Sequence, residues 1–276
     1  MRLYHNTMSL NVYRNYSQNL IKQSKTVEKI STGYKINGAG DDPNALAKSE
    51  TMRMQIRGMQ MAQRNVQDGI SMLQSVEGSL DKVSSILNRL RELTIQAGGT
   101  GTLEDKQTIQ NEMEEMVKGL NTIVAGSDFN EVNLVNGSIT GGKELACGSL
   151  TGEKITIPAK NLTPAALGVN SIDVTVVPDG VKNSLGIIDA AISEVVSIRS
   201  EYGAIQNRLE STYEISSENQ LVSEKAESGV RDLDVAEEMM YFSRNNILIE
   251  AGNAMMAQTN RFPQDILRVL ENVRGR

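Results

Sequence analysis

Tryptophan is absent from these 276 residues, phenylalanine occurs three times, proline five times, and cysteine and histidine once each. Without large aromatics a chain of this length has little with which to fill one globular core, so its apolar residues must be placed differently. A single histidine, His5, closes most catalytic templates: no histidine pair can hold a metal, and no imidazole can activate Cys147 or a serine. A single cysteine forbids an intramolecular disulfide, and Cys147 reads as a small, unreactive thiol. No apolar run approaches the ~18 residues of a membrane span, and residues 1–12 lack the apolar stretch of a Sec signal peptide. The formal charge of −6 argues against nucleic acid as a partner. Composition alone therefore points to a cytoplasmic, non-enzymatic protein with neither nucleic acid nor membrane as partner, and with no cofactor and no metal.

Leu, Ile, Val, Ala and 13 Met dominate the apolar content, and their spacing is helical. Leu73, Leu80 and Leu87 interleave with Val76, Val83 and Leu90 at heptad spacing, and a seam of that kind asks for a helix alongside. The complementary pattern lies near the other end: Ile188, Val195, Tyr202 and Leu209 alternate with Ala191, Ile198, Ile205 and Thr212. A first helix is predicted over residues 8–32, with Tyr13, Leu20 and Val27 as its seam and the small Ser17 and Ser24 on the neighbouring row. Gly33, Gly38 and Gly40 break it. Asp42 then reads as an N-cap and Pro43 as the first residue of a second helix, where proline sacrifices no helical hydrogen bond. That helix is expected to run to Ala97, on the order of 80 Å at about 1.5 Å per residue. A glycine-rich stretch over residues 98–102 ends it. A third helix is expected over residues 103–125, with Ile109, Met113, Met116, Leu120 and Ile123 on one stripe.

Residues 126–183 change character: Gly, Ser, Thr and Asn are frequent, three of the five prolines occur there, and β-branched runs appear at residues 154–157 and 172–177. A loop-and-hairpin insertion is expected. From Ser184 a helical pattern resumes to Val269, with a discontinuity expected across residues 216–230, where Ser and Glu are dense. Two helical arms flanking an insertion should fold back, terminus beside terminus. The charges suit that pairing, since residues 1–36 carry a net +5 and residues 214–238 a net −6, although solvated faces would look the same. The fold class is mainly α: a long antiparallel coiled-coil-like helical rod with a small β-hairpin segment.

Other motifs carry no chemistry. The stretch Gly38-Ala39-Gly40-Asp41-Asp42 lacks the Gly-Lys-Ser/Thr of a phosphate loop, and its aspartates would repel a phosphate. No further oxygen ligands follow at the spacing of a cation loop. Sequon-like triplets at Asn15, Asn136 and Asn161 are attributed to chance, and Met52, Met59, Met239 and Met255 to core filling.

Several motifs resemble those of bacterial flagellins. These are Lys29-Ile-Ser-Thr-Gly-Tyr-Lys-Ile-Asn37 followed by Asp41-Asp42, Arg64-Asn65-Val-Gln-Asp68-Gly69-Ile-Ser71, and Arg89-Leu-Arg-Glu-Leu93. Leu185-Gly186, Gly203-Ala-Ile-Gln-Asn-Arg-Leu209, Ala251-Gly252, Ala257-Gln258-Thr-Asn260 and Pro263-Gln264 through Leu267 match the C-terminal arm. The similarity covers residues 1–137 and 184–270. It implies a self-assembling subunit of the flagellar filament, exported unfolded through the flagellar type III channel, hence secreted and extracellular despite the missing Sec signal. The implied organisation is an N-terminal D0 arm and linker (1–43), D1 segments (44–137 and 184–214), a short variable insertion (138–183), and a C-terminal linker and D0 arm (215–276). So short an insertion implies reduced outer domains and a thin, smooth filament.

Implied partners are copies of the chain itself, a flagellar export chaperone, filament cap and hook-junction proteins, and a host Toll-like flagellin receptor. By resemblance the receptor reads Arg89, Leu93 and Glu112. The chaperone and the D0 assembly would use Val235, Met239, Phe242, Ile249 and Met255. Pro43-Asn44 departs from the small residues usual after the aspartate pair, and residues 271–276 extend past the usual end. The flagellar hook-filament junction protein shares both terminal signatures and is the nearest alternative, but the Arg89 motif and the full C-terminal match favour the filament protein. A signalling coiled coil of receptor type would need a membrane span.

Overall fold

The computed structural model describes residues 6–99, 102–149, 152–176 and 179–274. His5, Thr100, Gly101, Val177 and Arg276 lie outside the described residues. Five helices and one two-stranded sheet are found among those described: α1 (Thr7–Thr32), α2 (Pro43–Gly99), α3 (Leu103–Ala125), β1 (Lys143–Ala146), β2 (Lys154–Ile157), α4 (Gly180–Arg231) and α5 (Val235–Arg274). The fold is the expected mainly helical one with a small hairpin. The chain divides into two compact units, residues 1–53 with 223–276, and residues 54–222.

The helix boundaries follow local chemistry. Gly33 takes a left-handed φ of 73° and its N–H donates to the Lys29 carbonyl, the usual way to end a helix such as α1. The Asp42 carboxylate accepts from the N–H groups of Asn44 and Ala45, both at 3.0 Å, and so caps α2 as its sequence suggests. Thr102 caps α3, whose first turn carries Glu104 and Asp105.

In the unit of residues 54–222 the core is the heptad seam. Leu73, Val76, Leu80, Val83, Leu87 and Leu90 of α2 are all buried, as are Ile188, Ala191, Val195, Ile198, Tyr202 and Leu209 of α4. From α3, Ile109, Met113, Leu120 and Val124 join the same cluster, with Met116 and Ile123 partly buried against it. Arg199 of α4 clamps Glu77 of α2 through Nε and Nη2 at 2.9 and 2.7 Å, and Arg91 meets Asp189 at 2.7 Å. These exposed pairs set register more than they add stability.

The insertion is packed by hydrogen bonds invisible to periodicity. The strands β1 and β2 are antiparallel with Lys143 opposite Ile157 and Ala146 opposite Lys154. The first of them has no β-branched residue and was not expected. Residues 172–176 do not form the strand suggested by their composition. The Gln110 side chain instead acts as a surrogate backbone, donating to the Ile172 carbonyl at 3.0 Å and accepting from the Val174 N–H at 3.2 Å. Asn133, buried, donates to the Val124 carbonyl and accepts from the N–H groups of Val135 and Asn136, tying the end of α3 to the loop.

Two further expectations are corrected. Across residues 216–230 α4 is continuous, because the good helix formers there (Glu, Gln, Leu, Lys and Ala) outweigh the modest cost of Ser, Asn and Val and the larger one of Gly229. The break comes at Asp232–Asp234, where Asp232 bridges to Tyr34 and the Asp234 carboxylate caps α5 by accepting from Ala236 and Glu237. The second correction concerns α1. Tyr13, Leu20 and Val27 are 59%, 41% and 47% exposed and are not its seam toward α5.

Candidate functional site

The unit of residues 1–53 with 223–276 is built on α1 packed against α5. The order of contacts is antiparallel: Asn6 donates to the Thr259 carbonyl at 2.9 Å, Ser9 to Asn260 Oδ1 at 3.1 Å, and Gln23 to Asn246. Tyr16 lies against Gly252, where a Cβ would sit 3.2 Å from the ring. Thr26 and Thr259 are buried. The half-buried rows of the two helices thus mix amides, hydroxyls and a glycine with apolar side chains, among them Val12, Tyr16, Phe242, Ile249 and Met256. On the exposed side α1 presents Met8, Leu10, Tyr13, Leu20, Ile21 and Val27, and α5 presents Val235, Met239, Met240, Ile247, Met255 and Phe262. A two-helix unit that buries a mixed row and leaves a broad apolar stripe in water is incomplete as a soluble hairpin.

At the base of this unit the chain crossings are held tightly. The Lys35 N–H donates to the Arg231 carbonyl at 2.8 Å and the Leu233 N–H to the Gly33 carbonyl at 3.0 Å. The Arg231 guanidinium lies over the Tyr34 ring at 4.7 Å and reaches Glu50 at 2.8 Å, while Arg53 reaches Glu227 at 3.1 Å. The acidic segment of the C-terminal half therefore finds an arginine partner near the start of α2, in Arg53, where the sequence pointed to the basic residues of α1.

Of the residues expected to serve chaperone and D0 assembly, Val235, Met239 and Met255 face solvent, whereas Phe242 and Ile249 are half-buried. Those two fall on the row of α5 that also carries Gly252 and Thr259. They belong to two different faces of one helix. The group expected to meet the receptor is also divided. Arg89 and Glu112 have side chains 48% and 52% exposed and pair at 3.5 Å, with Glu92 holding the other guanidinium nitrogen at 2.9 Å. The Glu92 hydrogen bond is the chief cause that raises the Arg89 pKa. Leu93 is only 1% exposed and packs in the core, so it cannot be the apolar centre of a surface patch.

Cys147 is buried beside the hairpin, its thiol 3.3 Å from the Leu145 carbonyl, and burial pushes its pKa up. That keeps it protonated and unreactive. Among the described residues no group of His, Cys, Asp or Glu could hold a metal ion, and no helix is long and apolar enough to cross a membrane.

An architecture of paired terminal helices, a heptad-packed unit and a short inserted hairpin defines a helical chain with an uncovered apolar face. Residues 3–140 match the bacterial flagellin N-terminal helical region and residues 185–270 the bacterial flagellin C-terminal helical region. The chain belongs to the bacterial flagellin family. It is 39% identical to a flagellin of Bacillus subtilis over 98% of this chain and 100% of that one, and 39% identical to a flagellin of Halalkalibacterium halodurans over the same shares. A flagellar filament 31.3 kDa core protein of Treponema maltophilum is 36% identical, again over 98% and 100%. Among solved structures, a Bacillus cereus flagellin aligns at a TM-score of 0.50 with 24% identity, covering 55% of this chain and 88% of that one. A protein described as a flagellar hook-associated protein of Vibrio parahaemolyticus aligns at 0.59 with 18% identity, covering 70% and 100%. These two likenesses concern the fold alone.

Proposed function

We propose that the chain is a structural subunit of the bacterial flagellar filament, assembling as a helical homopolymer that serves motility. The observation that carries this reading is the exposed apolar face of α1 and α5, which no other described residue covers. Copies of the same face can cover one another, and full-length similarity to flagellins supports that occupant. Concentrated purified protein, seeded with fragments of its own polymer, should give long uniform filaments by negative-stain electron microscopy. A preparation that stays monomeric across salt and concentration would sink the reading.

Export through the flagellar type III channel follows from the same assignment, since a filament protein must reach the growing tip. The exposed Val235, Met239 and Met255 of α5 would be the anchors covered by an export chaperone before secretion. Deleting residues 235–276 should abolish co-purification of a small helical partner from a flagellated host, and a complex that survives would place that site elsewhere. Contact with a host Toll-like receptor would rest on the exposed Arg89 and Glu112 pair, with Leu93 supporting it from beneath. Unchanged receptor affinity in both Arg89→Ala and Glu112→Ala would refute that role. Cap and hook-junction proteins would meet the subunit as neighbours in the assembly.

A further inference from the structure

Pro263 lies inside α5, well short of its end at Arg274. Having no N–H, it leaves the carbonyl four residues earlier, that of Thr259, without its helical partner, and its ring crowds the same oxygen. At an exposed position water would fill the gap. Thr259 is only 7% exposed, so its carbonyl needs a partner from the protein. Its own hydroxyl is engaged one turn back, donating to the Met255 carbonyl at 2.5 Å. The partner is the side chain of Asn6, whose Nδ2 donates to the Thr259 carbonyl at 2.9 Å.

Asn6 has a second task. Its Oδ1 accepts from the Ser9 N–H at 3.1 Å as the N-cap of α1, so one carboxamide completes both the open end of α1 and the break in α5. Both bonds can be made in one register only: sliding α1 by a turn, about 5.4 Å, takes Nδ2 out of reach of the carbonyl. The same slip carries Tyr16 off Gly252, the position where its ring leaves no room for a Cβ without displacement. The bond from Ser9 to Asn260 is exposed, where water competes, and so discriminates less between registers. We infer that Asn6 is the register-determining residue of the terminal helix pair and a positioning residue for assembly. Pro263 creates a buried carbonyl that is satisfied when α1 is correctly placed and left unpaired when it is not. This inference rests on the filament reading above, since copies that cover the pair seal it from the water that could rescue a slipped register.

A double-mutant cycle on seeded polymerisation of the full chain tests it. Asn6→Asp keeps the capping oxygen and removes the donor, while Pro263→Ala returns the N–H that Thr259 lacks. Asn6→Asp alone should raise the critical concentration about tenfold, the equivalent of one buried carbonyl left unpaired. Pro263→Ala alone should leave it at or below the wild-type value. In the Pro263→Ala background, Asn6→Asp should change it by less than about twofold. A residue that only capped α1 would lose nothing to Asn6→Asp in either background, and one that only packed would lose the same in both. Equal effects of Asn6→Asp in the two backgrounds, or a Pro263→Ala chain that does not polymerise, would overturn the assignment. If the wild-type chain itself does not polymerise, the filament reading fails instead.

Discussion

Tyr202 is the one large polar side chain in the α4 seam, and alkaline pH should expose its role. Its ring is 2% exposed and its hydroxyl donates to the Pro158 carbonyl at 2.9 Å, linking α4 to the end of β2. Burial, with a smaller contribution from the charge of Glu201, pushes its pKa up to about 12. An ordinary tyrosine titrates near 10, so the folded state holds the neutral phenol more firmly than the unfolded chain does. The resulting stabilisation is complete below pH ~10 and is lost as pH rises through ~12. At pH 11 the loss from this group amounts to about 1.4 kcal/mol. Tyr202→Phe removes both the titration and the donor, leaving the Pro158 carbonyl short of a partner at a cost of about 1–2 kcal/mol at neutral pH. Urea denaturation followed by circular dichroism at pH 7 and pH 11, for wild type and variant, measures both effects. The variant should start lower and lose less on going to pH 11. Equal midpoints at pH 7, or an identical alkaline loss in both proteins, would refute the assignment of this hydroxyl.

The seam itself is tested by Leu80, which is 1% exposed. Leu80→Ala should cost about 2–5 kcal/mol, and Leu80→Asp more, since a lone buried carboxylate adds its desolvation; a melting temperature unchanged in the aspartate variant would place Leu80 outside the core. Leu103→Ala, at a position 63% exposed, should leave stability within about 0.5 kcal/mol by the same measurement. Amide hydrogen exchange on the monomer should be fast over residues 7–32 and 235–274 and slow over the heptad seam, because α1 and α5 bury little surface in all, with only Thr26 and Thr259 buried among their described side chains. Strong protection of both terminal helices without polymer would contradict that account.

Much of this fold was legible because heptad spacing is a direct statement about which side chains face inward. Leu73 through Leu90 and Ile188 through Leu209 needed no tertiary information to be placed in a core. The same rule misplaced Tyr13, Leu20 and Val27, since periodicity locates an apolar stripe without saying what covers it. In α1 the stripe turned outward and the hydroxyl and amide row of Ser9, Tyr16, Gln23 and Thr26 turned toward α5. Leu93 was misread for a similar reason, its motif carrying exposed Arg89 and a buried leucine on one helical turn. Gln110 and Asn133 gave a weaker signal: single amides beside apolar core positions, which act as backbone substitutes only once the loop has been brought to them. The strand β1 could not be found from propensity at all, as its residues are chosen by their pairing with β2 and by Gly142, whose φ of 91° and closeness to the Ile157 carbonyl admit no side chain.

The two units solve the burial problem in opposite ways, and this difference is what makes a subunit rather than a finished globule. Residues 54–222 close their seams within one chain and can be stable alone, with three helices and the hairpin supplying one contiguous cluster. The terminal pair cannot do so: two helices have too little facing surface to bury a stripe on each, and here the half-buried rows hold amides and hydroxyls beside Phe242, Ile249 and Met256. Covering Met8, Leu10, Tyr13, Leu20, Ile21 and Val27 with other copies would remove apolar area worth on the order of 10 kcal/mol per chain before ordering costs. That gain is available only on association, so the terminal helices are the part of the molecule whose order should depend on concentration. The hydrogen bonds of Asn6, Ser9 and Gln23 across the α1 and α5 contact suit this arrangement, because they fix the register of the pair directionally while the larger apolar stripe is left for contacts between chains.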